Sequence, residues 1–576
     1  MSNLMSGARV LLECLVREGV DCFFGYPGGV TLPLYDAVYD HPIRHILVRH
    51  EQNAAFAASG YARSTGRTGV CCATSGPGAT NLVTGLVDAM MDSIPVVALT
   101  GQVHSKLIGS DAFQEADTFG ITRSCTKHNY LVKSVTDLPD VIHEAFYVAS
   151  SGRPGPVLLD IPKDVFQSQA HYVPVSSIHL PGYKVYTEGH TGQIRRAVQM
   201  IAESERPLVY AGGGIVAAGA AGELRELVEL EDLPTVSTLM GLGALPSTHP
   251  NFISMLGMHG GYAANMAISE CDLMIAVGVR FDDRVTGRLS AFAPHAKVIH
   301  IDIDPAEIGK NRAPDLPIVG DAKRVLRKIL KVFPEVAAGA ARNPAARKAW
   351  WRRIHAWNDE HPLVPPPATA DEIKPQHVMA EIDRLSNGEA IVTADVGQHQ
   401  MWAAQFIRFN APRRWLTSGG LGSMGFSLPA AMGAQMANPD KLVIALVGDG
   451  GFQMSLPELS TIASNGLPVK IVIVNNGYLG MVRQWQEMFF NNRTCAVELD
   501  AFPDVPLLAA AYGIKGRSIE RPSDLRPALL EAAAEPGPFL LNVKVSPYEC
   551  VFPMVPSGAA LNEMVLAPPQ PVPVPK

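Results

Sequence analysis

The stretch "LVIALVGDGGFQMSLPEL", Leu442 to Leu459, decides how this chain is read. Six apolar residues, Leu442 to Val447, close on a carboxylate set between glycines, Gly448-Asp449-Gly450. A turn explains the glycines but not the acid. A second apolar run, "VKIVIVNN", closes on Asn475 and Asn476, with 24 residues between Gly450 and Asn475. One helix fits between the runs, around Leu456 to Asn465, so the pair reads as two parallel strands with a right-handed crossover. Asp449 and Asn476 then stand at the carboxyl ends of neighbouring strands, where open α/β sheets bind ligands. A carboxylate and a carboxamide are hard oxygen donors suited to Mg²⁺. Gly448, Gly450 and Gly451 let backbone amides close on a diphosphate.

The same rhythm of short aliphatic runs and helical stretches continues through "GVCCATS", "IPVVALTG", "GPVLLDIP", "PLVYAGG", "LMIAVGV", "KVIHIDID", "AIVTADVG" and "FLLNVKVS". It predicts an α/β fold of doubly wound domains with mainly parallel sheets. Two polar, proline-bearing stretches interrupt it, Gln167 to Gly192 and His361 to Pro375. They divide the chain into segments 1–168, 190–335 and 372–548, with 549–576 as a tail whose end, "APPQPVPVPK", reads as an extended arm. "TSGPGATNLVTGLVDAMMDSIPVVALTG" in the first segment echoes "TSGGLGSMGFSLPAAMGAQMANPDKLVIALVG" in the third, so these two are expected to share a fold.

At 576 residues the chain is too long for one core. Its 47% apolar and 18% charged residues and net charge of -7 describe a packed globular protein with no nucleic-acid-binding stripe. No run is apolar for long enough to span a bilayer. The first residues read as an amphipathic helix broken by Glu13, Arg17 and Glu18, not as a signal peptide. Eight cysteines without C-x-x-C spacing read as reduced thiols in a cytoplasmic protein.

The G-D-G…N-N pattern resembles the thiamine diphosphate motif. The segments "FGYPGGVTLPLYDA", "RHEQNAAFAASGYAR", "ATSGPGATN", "SDAFQEAD", "GRPGPVLLDIPKDV", "VRFDDRVTG", "GQHQMW" and "GMVRQWQ" narrow the likeness to the acetohydroxyacid (acetolactate) synthase catalytic subunits, from about residue 5 to about residue 565. The resemblance implies that pyruvate is decarboxylated and its two-carbon unit joined to a second 2-ketoacid. Pyruvate gives 2-acetolactate and 2-ketobutyrate gives 2-aceto-2-hydroxybutyrate, the first common step of branched-chain amino-acid synthesis. It implies three cofactors: thiamine diphosphate, Mg²⁺ and FAD.

By the same resemblance Asp449, the Asn476 side chain and the Tyr478 carbonyl hold the metal. Tyr26, Gly28, Gly397, Gln398, His399, Gly422, Gly448, Gly450, Gly451, Gly480 and Met481 line the thiamine site, with Met424 as the wedge that bends the coenzyme. Glu51 follows a strand and opens an Ala-rich helix, placed to hydrogen-bond the coenzyme's pyrimidine; Gly29, Gln114 and Lys163 join it as catalytic candidates. In the central domain FAD falls to Arg153, Gly212, Gly213, Gly214, Thr238, Leu239, Met240, Leu256, Gly257, Met258, His259, Arg280, Asp282, Asp302, Ile303 and Asp321. Arg284 is matched to the acceptor carboxylate, a planar cation for a planar anion, and Trp485 and Phe113 to the rest of the substrate. The resemblance also implies a homodimer at least, with a tetramer and a small regulatory subunit open. After "RQWQEMFF" the chain reads "NNRTCAVELDAF", where the family's mobile cover usually carries an aromatic-serine stretch. Two other readings compete: a pyruvate oxidase with the same two organic cofactors, and a homologue that has lost catalysis.

Overall fold

The computed structural model describes residues 4–567, which leaves most of the proline-rich end, 568–576, outside the described residues. Three parallel sheets of six strands organise it. The first holds β1 (Cys22–Tyr26), β2 (Arg44–Leu47), β3 (Gly69–Ala73), β4 (Val96–Gln102), β5 (His128–Leu131) and β6 (Val157–Pro162), in the order β2-β1-β3-β4-β6-β5. The central sheet holds β7 (Pro207–Ala211), β8 (Thr235–Ser237), β9 (Phe252–Met255), β10 (Leu273–Val277), β11 (Lys297–Asp302) and β12 (Leu316–Val319), in the order β9-β8-β7-β10-β11-β12. The third holds β13 (Ile391–Ala394), β14 (Trp415–Thr417), β15 (Val443–Gly448), β16 (Lys470–Asn475), β17 (Lys515–Ile519) and β18 (Phe539–Lys544), in the order β14-β13-β15-β16-β18-β17.

Counting strands within each domain, the first and third sheets share the order 2-1-3-4-6-5, while the central one follows the dinucleotide-binding order 3-2-1-4-5-6. In each, the order reverses beside the domain's first strand, which opens a crevice at the carboxyl ends. The shared fold is as the sequence suggests, but the echo is one strand out of register. "TSGPG" follows the third strand of its sheet, whereas "TSGGLG" follows the second of its own.

The helix after the second strand, α1 (Glu51–Thr65) in the first domain and α2 (Ser427–Ala437) in the third, carries almost only small or buried residues. A helix without a polar face must be covered all round, and these two cover each other. A Cβ on Gly60 would collide with the Ala430 backbone, and one on Gly433 with the Ala57 backbone. Each helix thus uses an Ala-x-x-Gly step to receive the other, a reciprocal contact about a local two-fold axis. Clusters of buried side chains continue from one domain into the other around it.

The central domain extends past the 190–335 expected for it. Helix Pro344–Glu360 buries Trp350, Ile354 and Trp357 against its core, and Trp350 Nε1 donates to Pro207 O at 3.1 Å. The stretch after 548 is no free tail up to residue 567: Val551, Met554, Val555 and Leu561 are buried, and Val555 N donates to Met258 O at 2.8 Å. The described cysteines are all free, and no helix among the described residues is long and apolar enough to cross a membrane.

Candidate active site

The strands β15 and β16 pair directly, so Asp449 and Asn476 do meet at neighbouring tips. Asp449 is buried; Gly450 N donates to its Oδ1 at 2.9 Å and Gly477 N to its Oδ2 at 2.7 Å. Burial pushes this carboxyl up to about 6, against the pull of those backbone donors. Among the described residues no side-chain cation pairs with it. Asn476 Oδ1 accepts Tyr478 N at 3.0 Å and keeps a second lone pair, and its Nδ2 donates to Gln398 Oε1 at 3.4 Å. A desolvated carboxylate beside an oriented carboxamide oxygen is a donor set short of one positive charge, and a hard divalent cation fits it.

Around this tip the backbone is stripped of side chains. A Cβ on Gly448 would lie 2.9 Å from His399 Cε1 and one on Gly450 2.8 Å from Leu479 Cδ2 and 3.3 Å from Met424 Cε; on Gly451 or Gly480 it would strike Asp395 or Gln398. His399 Nε2, Ser423 Oγ and Ser455 Oγ are buried without a hydrogen-bond partner. Burial holds the His399 imidazole down at about 4, so it is neutral near pH 7. Buried orphan polar atoms are rare in proteins, and three beside a glycine-lined crevice fit a polar ligand. Gly397 caps helix Gln398–Phe406 at the same crevice, and Gly422 (φ 75°) and Gly425 (φ 82°) turn the chain on either side of Met424. Met481 lies on helix Gly480–Phe489, which starts four residues after Asn476.

In the first domain the corresponding crevice lies between β1 and β3. Tyr26 ends β1, and Gly28 packs so closely on Thr74 that any side chain there would collide. The Gln114 backbone (φ 59°) crosses Gly76 (φ 58°), where a Cβ would lie 2.8 Å from Gln114 O. Glu51 opens α1, half-buried, and its Oε2 accepts Asn81 Nδ2 at 3.0 Å. Thr74 Oγ1 and Ser75 Oγ are buried without partners. Lys163 begins the short helix after β6, half-buried; Gly29 is exposed; and Phe113 is 88% exposed. Among the described residues no hydrogen bond joins Glu51, Gln114 or Phe113 to the Asp449 tip.

The central crevice opens on a glycine turn. Gly212, Gly213 and Gly214 turn the chain after β7, with Gly212 N donating to Val277 O at 3.0 Å and Gly214 N to Gly278 O at 3.1 Å. A Cβ on Gly214 would lie 2.6 Å from Gly278 Cα. Thr238 caps the turn Leu239–Gly241, placing Leu239 and Met240 beside Gly213. Leu256 and Gly257 (φ 109°) follow β9, and Met258 N donates to Arg284 O at 2.8 Å. His259 is buried and held down at about 4, with Pro553 O accepting from or facing its ring nitrogen at 3.2 Å. Arg280 and Asp282 follow β10, and burial raises the Asp282 carboxyl. Asp302 ends β11 beside Ile303, and burial raises it to about 6. Local partners also hold the acidic and basic members, with Asp302 Oδ1 accepting Asp304 N at 2.9 Å. Asp321 caps helix Ala322–Ala337 through Arg324 N at 2.9 Å, and Arg153 donates to Glu307 Oε1 at 2.6 Å and Ser93 Oγ at 2.9 Å.

Arg284 and Trp485 come from different domains and meet, the guanidinium carbon 5.8 Å from the indole centroid. A small cavity beside Arg284 has Met258, Asp283, Val555, Ser557 and Leu561 among its lining residues. The segment after Phe489 turns at Asn491 and Asn492 (φ 54° and 57°) and returns onto the Asp449 tip: Leu479 N donates to Val497 O at 2.8 Å and Leu499 N to Gly477 O at 2.9 Å.

Several residues that shape the site carry no assignment in the sequence reading. Asp395 is fully buried, raised to about 7 by desolvation, and accepts Gly425 N at 2.9 Å. An acid closing "AIVTAD" repeats the signal that marked Asp449. Gln484 has no such signal: its Oε1 accepts Gln398 Nε2 at 2.9 Å and Val551 N at 2.8 Å, tying Gln398 to the chain after 548.

Comparison with known proteins agrees with this geometry. Three family models match in order: the N-terminal TPP binding domain of thiamine pyrophosphate enzymes over residues 5–121, their central domain over 194–329, and their C-terminal TPP binding domain over 395–543. An acetolactate synthase large subunit of Mycobacterium tuberculosis is 50% identical over 569 residues, 98% of this chain and 92% of its own. The large subunit of acetolactate synthase isozyme 2 of Escherichia coli is 47% identical over 568 residues, 97% of this chain and 99% of its own. The chloroplastic acetolactate synthase of Arabidopsis thaliana is 47% identical over 572 residues, 97% of this chain and 84% of its own. These relatives favour the synthase over the oxidase.

Proposed function

Since the chain belongs to the acetolactate synthase large subunits, which are thiamine diphosphate-dependent enzymes, we propose that Asp449, Asn476 and the Tyr478 carbonyl hold Mg²⁺ and, through it, the coenzyme's diphosphate. The convergence of the first two at neighbouring strand tips carries this reading. Bound thiamine diphosphate supplies a nucleophilic carbon and the electron sink for decarboxylation. The residues of this chain do the rest. Glu51 holds a proton at the coenzyme's N1′. Met424, pressed near Gly450, sets the coenzyme's bend, and Gly448, Gly450 and Gly451 let backbone amides reach the phosphates.

Arg284 binds the carboxylate of the second 2-ketoacid with its paired N–H donors. Trp485 braces that guanidinium from the side and contacts the acceptor's alkyl group. One methylene in such a pocket is worth only ~1–3 kcal/mol, so 2-ketobutyrate is preferred to pyruvate by a finite factor. Gln114, Gly29, Phe113 and Lys163 belong to the same centre but lie on the first domain's crevice. With Phe113 open in a single chain and no bond from Glu51 to the metal tip, a second copy of the chain supplies the missing wall, which supports a dimer or larger oligomer. The order of the central sheet and its glycine turn support FAD there. The relatives' description as large subunits supports a small regulatory partner, and the cytoplasm is the compartment we assign.

Purified protein supplied with pyruvate, thiamine diphosphate, Mg²⁺ and FAD is expected to form 2-acetolactate with release of CO₂. Product chromatography that found no acetolactate would end this reading. Omitting Mg²⁺ or FAD in turn tests each cofactor.

A further inference from the structure

The glycine loop that carries Met424 is not held by its own domain alone. Three side chains of the first domain, Arg63, Asp88 and Asp92, form a buried ionic cluster against it. Arg63 Nη2 donates to Asp88 Oδ2 and to Asp92 Oδ2, both at 2.9 Å, its Nη1 donates to Thr417 O at 3.0 Å, and its guanidinium covers the Phe426 ring at 5.0 Å. Gly419 N donates to Asp92 Oδ2 at 2.9 Å and Gly420 N to Asp92 Oδ1 at 2.7 Å. The Ser418 hydroxyl donates to Asp88 Oδ1 and accepts Ser423 N at 2.8 Å. A Cβ on Gly420 would lie 2.9 Å from Asp92 Oδ1, so only glycine lets the loop come this close.

A buried ion cluster is a poor source of net stability, because desolvation consumes most of the Coulomb gain. What it supplies here is direction: both oxygens of one carboxylate fix two successive amides of a loop in which every second residue on average is glycine. Four residues further on is Met424, and the loop's far end is fixed by Asp395 through Gly425 N. The loop is therefore stretched between two carboxylates from two domains, with Met424 between them.

We infer that Asp92, braced by Arg63 and Asp88, is a positioning residue for the thiamine diphosphate site: it holds residues 418–425 in the shape that presents Met424 to the coenzyme. This rests on the reading of that loop as coenzyme-facing. Asp92 touches neither coenzyme nor substrate and acts across the domain boundary.

Binding of thiamine diphosphate with Mg²⁺ to cofactor-stripped protein, followed by titration calorimetry, tests it. Asp92→Asn, which keeps the shape and removes the charge, is expected to weaken binding about tenfold with flavin content as in the wild type, and to lower the thermal midpoint because it breaks a buried pair. In a Met424→Ala background the same change is expected to cost less than about twofold, because its route to the coenzyme is gone. Ser418→Ala, which leaves the charges alone, is expected to weaken binding about threefold and decides the matter if Asp92→Asn does not fold. Folded variants that bind as tightly as the wild type overturn the inference, as does a loss equally large with and without Met424. Acetolactate formation by the wild type, assayed in parallel, separates the two readings: an inactive wild type that binds no coenzyme overturns both, an active one with unaffected variants only this one.

Discussion

The first and third domains are alike below the level of strand order. In each, an amide at the end of the fourth strand donates to the fourth residue of the sixth: Gln102 Nε2 to Asp160 Oδ2 at 2.9 Å, Asn475 Nδ2 to Asn542 Oδ1 at 3.1 Å. Yet the tips of their third strands differ in kind. The third domain ends in Gly-Asp-Gly with a charged, desolvated carboxylate; the first ends in Thr74-Ser75-Gly76, with orphaned hydroxyls and no charge. One scaffold has been given two chemistries, an ionic grip at one end and a neutral pocket, with Glu51 at its margin, at the other.

The comparison breaks first at Asp449. Asp449→Ala removes the carboxylate proposed to hold the metal and is expected to lower kcat/KM by on the order of 10³-fold, several kcal/mol of lost electrostatic stabilisation. Coenzyme binding that ceases to respond to Mg²⁺ checks it; a variant that still needs the metal with unchanged affinity places the ion elsewhere. Glu51→Gln probes the other end. It is expected to lower kcat by on the order of 10²-fold while coenzyme affinity stays within a few-fold, since the grip lies in the third domain. Equal loss in affinity and turnover would make Glu51 part of the grip and erase the division of labour.

The reciprocal helix contact gives the next test. Gly60→Ala and Gly433→Ala each press a methyl into the opposite backbone, and overpacking of this kind costs about 1–3 kcal/mol. Thermal denaturation should show two losses of similar size and a double variant that is not additive, because both methyls force the same helices apart. Additive losses would mean that the two steps are independent and the local two-fold axis is only a resemblance.

How much of this was legible in the sequence follows from where each strand lies. The runs quoted from the sequence all became strands, because interior strands of a parallel sheet are buried on both faces and read as unbroken aliphatics. None of the six edge strands has such a run, and Arg44–Leu47 opens on an arginine and a histidine. Leu316–Val319 alternates between buried and half-buried, Lys515–Ile519 and His128–Leu131 carry exposed polar residues, Phe252–Met255 is only partly covered, and Trp415–Thr417 has three residues. The meeting of Asp449 and Asn476 at neighbouring strand tips was legible because the acid closes an aliphatic run between glycines. The clamp of Arg63, Asp88 and Asp92 was not, since its members sit on two separate helical segments and acquire their meaning only against a loop more than three hundred residues away. Nor was the register of the echo, because a glycine turn and a small-residue helix recur after several strands of any such sheet.

The finest difference between the two domains is one atom. Asp160 and Asn542 occupy the same place, yet Asp160 is an acid with Thr100 Oγ1 donating to it at 2.7 Å and Gln102 Nε2 at 2.9 Å. Burial, and the nearby Asp117 to a lesser degree, push its carboxyl up to about 7 in spite of those donors. Its folded value thus lies above the ordinary 3.8 of the unfolded chain. Between the two, the folded chain holds more protons than the unfolded one, so this group lowers stability as pH rises through that window and has no further effect above about 7. Asp160→Asn converts the first domain to the third domain's pattern and removes that slope. The gap in thermal midpoint between variant and wild type should therefore shift in the variant's favour from pH 4 to pH 7 and then stay level, other buried acids cancelling in the difference. A gap that is constant across the window would show that Asp160 is already ionised at little cost, and that the acid and the amide are interchangeable at this position.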